Sequence, residues 1–171
     1  MSEGGQTHVR LGDFRAEHAE TVLGWVASAE DALGWAETPF LRIGPELFET
    51  WHSQPGIVPC VGWLGDELCA YGHVWEDHAE REAEIGRIIV APDRRRQGIG
   101  RTFVALLAAE ATRRGFEVVL ARTIRANRSS FACYRAAGFV RMDREDEVAM
   151  NFDQTEDYVW LRYAPQRASR A

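Results

Sequence analysis

The chain predicts a single α/β domain on a mixed, mostly antiparallel sheet of about six to seven strands, flanked by about four helices. Three observations predict it. Short apolar runs of strand length are interleaved with stretches whose apolar residues recur at helical spacing. The 171 residues suit one sizeable core. No repeat, linker or low-complexity segment divides residues 1–165, and residues 166–171 are expected to form a disordered tail.

The elements follow in order. Residues 9–13 read as a first strand, and residues 16–27 as a helix with Val22, Leu23, Trp25 and Val26 on its apolar side. Residues 28–44 are punctuated by Gly and Pro and take no clear assignment. Residues 45–52 read as a short helix with Pro45 in its first turn. Strands at 57–63 and 68–76 flank Leu64-Gly65-Asp66-Glu67, a connection suited to a hairpin. A strand at 82–90 leads to a helix from about Ile99 to Arg114 that buries Ile99, Phe103, Leu106 and Leu107, and Gly115 ends it. A fifth strand is expected at 117–123 and a helix at 128–137, stopped by Gly138. The last strands are expected near 139–150 and 157–163.

The densest chemical signal lies between the fourth strand and the long helix. After Ile88-Ile89-Val90 comes Pro92-Asp93, then Arg94-Arg95-Arg96-Gln97-Gly98-Ile99-Gly100 and Arg101. A helix start supplies unpaired N–H groups and the positive end of a dipole, and three arginines precede it, so the segment suits an anionic diphosphate. A Walker A loop is excluded because no lysine follows the glycines. A dinucleotide fingerprint wants a third glycine, whereas Arg101, Thr102 and Phe103 follow Gly100. A purely structural tight turn is the bland alternative.

A second block runs Asn127-Arg128-Ser129-Ser130-Phe131-Ala132-Cys133-Tyr134 and closes on Gly138-Phe139. Together the two blocks resemble the GNAT superfamily of acyl-CoA-dependent N-acetyltransferases. Its signature of Gln or Arg, two residues, Gly, one residue, then Gly or Ala is met by Arg95, Gly98 and Gly100. The clear match spans about residues 83 to 140; the first third agrees only in element order.

The resemblance implies a fold whose sheet splays after the fourth strand, with acetyl-CoA as acyl donor. It implies that main-chain N–H groups from Arg95 through Arg96, Gln97, Gly98, Ile99 and Gly100 to Arg101 hold the pyrophosphate. Ile88, Ile89 and Val90 would lie along the pantetheine arm, with a main-chain N–H near Ile89 polarising the thioester carbonyl. Asn127 would reach that arm from the opposite wall; read from the residues alone, it is equally an N-cap. Tyr134 matches the family's usual general acid, against a plain core aromatic beside Phe131. Glu84 stands where some members carry a catalytic base, although Glu80, Glu82 and Glu84 also alternate as solvent-facing strand residues do. A base is needed because an alkylamine with a pKa of about 10 is protonated at neutral pH.

The expected activity is therefore transfer of an acetyl group to an amine by direct attack. A non-catalytic acyl-CoA sensor and a different acyl donor are the alternatives. The acceptor is a small-molecule or protein amine. Acidic runs at Glu76-Asp77, Glu80, Glu82, Glu84 and at Asp143, Glu145, Asp146, Glu147 would favour a cationic one if they border one cleft. Trp35 is the tryptophan expected to line the acceptor pocket. His73 reads as packed, with a proton relay toward Glu84 as its alternative.

Composition sets the remaining bounds. A net charge of −6, with no basic segment carrying spaced aromatics, argues against nucleic acid. No apolar run reaches membrane-spanning length and no signal-peptide pattern opens the sequence, so a cytoplasmic setting without membrane association is expected. Cys60, Cys69 and Cys133 read as reduced core residues. No metal-ligand spacing is present, and no metal is expected. Self-association into a homodimer is left open.

Overall fold

A computed structural model describes residues 8–38, 40 and 42–165; the expected tail at 166–171 lies outside them. Seven strands form one sheet in the order β1-β2-β3-β4-β5-β7-β6. These are β1 (Val9–Asp13), β2 (Ile57–Leu64), β3 (Glu67–Asp77), β4 (Glu82–Val90), β5 (Val118–Ile124), β6 (Phe139–Arg141) and β7 (Tyr158–Tyr163). All neighbours are antiparallel except β4 and β5, which run parallel. The connection between that pair is the long helix α4 (Ile99–Arg113), as a parallel crossover requires.

Binary patterning explains the layers. On β4, Ala83 and Ile85 are fully buried and join Val74, Phe103, Leu107, Phe139 and Leu161 in a core beneath α4 and α5 (Arg128–Ala136). A second core holds Val22, Trp35, Phe48, Trp51 and Tyr71 under α1 (Ala19–Leu23), α2 (Ala29–Ala36) and α3 (Glu46–His52). The hairpin forms as expected, with Gly65 in the left-handed region at φ 61°.

The structure corrects the helix at 16–27, the strand at 139–150 and the number of helices, and it fills the unassigned segment 28–44. The helix expected at 16–27 is a 3-10 turn at Ala16–His18 followed by α1, which stops before Gly24. The unassigned segment 28–44 contains α2, started by the Ser28 hydroxyl accepting from Asp31 N at 3.1 Å and ended by Glu37 at φ 54°. The strand expected over 139–150 lasts only three residues, because Asp143 accepts from Asp146 N at 2.9 Å and caps a helix, α6 (Arg144–Met150). The described residues thus hold six α-helices, not four.

Two departures from regular pairing position the site. β4 and β5 pair only from Glu82–Val118 to Ile85–Ala121; beyond that β4 stays with β3 while β5 continues along β7. The sheet splays there, as the resemblance implied. β4 also bulges: Tyr71 pairs with Ile89 and His73 with Gly86, so Gly72 faces both Arg87 and Ile88. Arg87 takes φ 54° at the bulge, a cost tolerated where the surroundings over-determine it.

Candidate active site

The splay opens a cavity of about 1100 Å³ lined from both sides of the gap. At one end lies the loop into α4. A 3-10 turn at Pro92–Arg94 precedes it, and left-handed residues at Arg96 (φ 61°) and Gly98 (φ 81°) turn the main chain into the helix. The first bond into the helix is donated by Thr102 N to Gly98 O at 3.0 Å. Among the described residues, no main-chain carbonyl accepts from the N–H groups of Arg96 through Arg101 outside the helix. These donors and the helix dipole make an anion-ready concavity.

The side chains divide the labour. Arg95 is fully engaged within the protein: Nε donates to Val90 O at 3.0 Å, one terminal nitrogen meets the Asp31 carboxylate at 3.0 Å, and the other reaches Trp25 O at 2.9 Å. Its guanidinium fastens the loop to α2 and offers an anion only main chain. Gln97 Nε2 is held by Asp93 O at 2.9 Å, and Ile99 is buried in the core, so both also offer backbone alone. Arg96 and Arg101 line the cavity and form no ion pair among the described residues. A Cβ on Gly100 would meet Cys133 Sγ at 3.3 Å and Val90 Cγ2 at 3.4 Å, so glycine lets α4 close on β4 and α5.

Ile88, Ile89 and Val90 line the next stretch, where β4 has lost β5 as a partner. Across the gap Asn127 caps α5, its Oδ1 accepting from Ser130 N at 3.0 Å. Its Nδ2 faces α2, 3.0 Å from where a Cβ on Gly34 would stand. Asn127 is thus an N-cap and a cavity residue at once.

Tyr134 is buried, with its hydroxyl 3.5 Å from Ile85 O, the outer limit of a hydrogen bond. Burial pushes this phenol above its ordinary range, reinforced by Cys133 and Glu84, so it stays protonated. Glu84 does not face open solvent. Its side chain is 20% exposed, lines the cavity and sits 3.1 Å from Arg122 Nε. Burial raises its pKa, partly opposed by Arg122. Trp35 lines the cavity with one edge but is chiefly a core residue, donating from Nε1 to Arg87 O at 2.8 Å. His73 borders the cavity opposite Gly86; burial lowers its pKa to about 3, so it is neutral. Burial likewise pushes the Cys133 thiol up to about 11, so it is no ready nucleophile.

The acidic runs do not border one cleft. Glu82 and Glu84 reach the cavity, whereas Glu76 is held by Arg114 and Glu147 by Arg125, Arg141 and Arg144. Sequence reasoning missed Arg87 and Arg122. Arg87 donates to Trp35 O and Glu37 Oε2, both at 2.9 Å, and lies 4.8 Å from the Trp51 ring centroid. Arg122 lies 4.8 Å from the Tyr158 centroid and 5.3 Å from that of Trp160. Arg122 had a faint signal, since it falls on the same strand alternation as Leu120; the bulge that aims Arg87 left none.

A mixed sheet opened at its parallel pair, beside a glycine-started helix and a cavity of mixed polarity, defines the architecture. The model of the acetyltransferase (GNAT) family matches residues 25–139, and the chain belongs to that family. No match was found among curated proteins. Solved structures agree in fold. Spermidine N-acetyltransferase from Vibrio cholerae, in complex with CoA and spermine, aligns with TM-score 0.68 and 17% identity over 90% of this chain and 92% of that one. Aminoglycoside acetyltransferase AAC(6')-Ib, with coenzyme A and kanamycin, aligns with TM-score 0.71 and 16% identity over 93% and 96%. A domain from Methanocaldococcus jannaschii gives TM-score 0.72 and 16% identity over 91% and 97%.

Proposed function

We propose that this chain is an acetyl-CoA-dependent N-acetyltransferase that acylates an amine by direct transfer, with no acyl-enzyme. The observation that carries this reading is one cavity joining the unpaired N–H groups of residues 96–101, the freed edge of β4, Tyr134 and Glu84. The donor set fits a coenzyme: main-chain N–H groups with Arg96 and Arg101 suit phosphates, and an unpaired strand edge suits the amides of a pantetheine arm. When bound, acetyl-CoA supplies the activated acyl group.

The chain's own residues supply positioning and proton transfer. Glu84, with its raised pKa, takes the proton from the acceptor ammonium, freeing the nitrogen lone pair to form the amide bond. Tyr134, protonated throughout the working range, gives its proton to the sulfur as the carbon–sulfur bond breaks, and the second proton the nitrogen sheds as the amide forms restores the phenol. Main-chain N–H groups at the β4 bulge polarise the thioester carbonyl. Amine and thioester go in; amide and thiol come out.

Calorimetric titration with acetyl-CoA, followed by a thiol-release assay with mixed amines, tests the reading. Binding with turnover supports it. Silence with both acetyl-CoA and free CoA overturns it, and tight binding without turnover on any amine assigns a sensor instead. Repeating the assay with propionyl- and succinyl-CoA fixes the donor.

A further inference from the structure

The acceptor end of the cavity is aromatic, and most of its carboxylates are already paired. In one row across the sheet, Ile57 pairs with Trp75 and Trp75 with Glu84, all three lining the cavity. Trp160 and Tyr158 on β7, whose rings carry Arg122, and Trp51 on α3, whose ring carries Arg87, also line the cavity. Trp75 is the member of this group with an open face, at 36% exposure, and it stands directly beside Glu84. A flat apolar body stacked on Trp75 would hold its amino group at the Glu84 carboxylate.

Charge accounting points the same way. Glu84 is neutralised by Arg122 at 3.1 Å and Glu37 by Arg87 at 2.9 Å. Glu30 and Asp31 belong to the other end, where Asp31 holds Arg95. Among the described residues, Glu82 is the cavity-lining carboxylate of the sheet with no arginine partner. A polycation would need several unpaired carboxylates once removed from water, and it would meet the Arg87 and Arg122 guanidinium groups. One ammonium beside Glu84 and Glu82, next to the open Trp75 ring, is accommodated.

We infer that the acceptor is a monoamine with a flat apolar body, an arylalkylamine in chemical class, and not a polycation. This rests on the transferase reading above and narrows it. The test compares kcat/KM for phenethylamine and tryptamine with spermidine, kanamycin and a lysine-containing peptide, using acetyl-CoA and thiol release. The arylalkylamines should lead by about tenfold or more, and Trp75→Ala should raise their KM about tenfold while leaving the KM for acetyl-CoA unchanged. Melting curves confirm that the exposed Trp75 is replaced without unfolding. A lead for spermidine, kanamycin or the peptide, untouched arylalkylamines, or an unaltered amine KM in Trp75→Ala each overturns the inference. Failure of the parent reading looks different: acetyl-CoA then gives no calorimetric signal, or it binds without turnover on any amine, the arylalkylamines and the three polar acceptors alike.

Discussion

Glu84 and Tyr134 reach the same cavity from different elements, and burial raises both pKa values. The consequences for rate are opposite in kind. Glu84 works only as the carboxylate, so the rate must rise with pH through its pKa. Because that pKa is raised above the ordinary 4.5, the acid limb of kcat/KM should lie above ordinary carboxylate titration. Glu84→Gln should remove that limb and lower kcat by roughly 100-fold. A pH–rate profile that keeps its acid limb would clear Glu84 of base duty. Tyr134 works as the neutral phenol, present at every pH of interest. Tyr134→Phe should therefore cut kcat by about 10- to 100-fold and leave the calorimetric affinity for acetyl-CoA nearly unaltered. Lost affinity with normal turnover would reduce Tyr134 to a packing residue.

At the scale of elements, one helix start shapes the site and one buried ion cluster anchors a helix outside it. Gly98 turns the chain into α4 at φ 81°, where a β-branched residue is strained by roughly 1–3 kcal/mol. A Cβ there would find its nearest neighbour in the Arg101 guanidinium at 3.5 Å, so conformation matters more than crowding. Gly98→Val should misaim the N–H groups of α4 and weaken acetyl-CoA binding at least tenfold by calorimetry while circular dichroism still reports a folded chain. Outside the site, α6 is anchored through Glu147, whose fully buried carboxylate meets Arg141 Nε at 2.8 Å and Arg125 at 3.4 Å. Arg141 chiefly holds its pKa below the ordinary carboxylate value. Its stabilisation is therefore present above that ordinary value and fades as pH falls through the lowered one. Glu147→Gln should cost about 2 kcal/mol at neutral pH in urea melts, a gap that closes on acidification. A difference independent of pH would contradict the ion-pair account.

These elements also mark what the sequence disclosed. The hairpin at Gly65, the buried run of β4 and the glycines before α4 were legible because local patterning and fold agree there. The splay was legible only through resemblance, since nothing in the alternation of β4 or β5 says where two parallel strands part. The short helices were hidden for another reason. α2 and α6 depend on caps at Ser28 and Asp143 and on tertiary packing, not on a long apolar stripe. The bulge that sends Arg87 toward Trp35 required the register itself.

For the whole molecule, the central fact is a seven-stranded sheet that stops being continuous at its middle. Past Ile85 the β4 main chain has β3 on one side and a cavity on the other; Trp35 and Arg95 take up Arg87 O and Val90 O, and the edge has no strand partner among the described residues. A ligand arm that pairs with this edge joins the two halves and binds only the folded chain, so it must stabilise by mass action. At 100 times its dissociation constant a ligand contributes about 2.7 kcal/mol, and a domain of this size gains about 2–4 °C per kcal/mol. Acetyl-CoA should thus raise Tm by about 5–10 °C in thermal melts. Adenosine 3′-phosphate 5′-diphosphate presents the phosphates without the arm, so at the same concentration it should give well under half that shift. Equal shifts would mean that the phosphate contacts at α4 account for all the binding and that the open edge of β4 is not engaged.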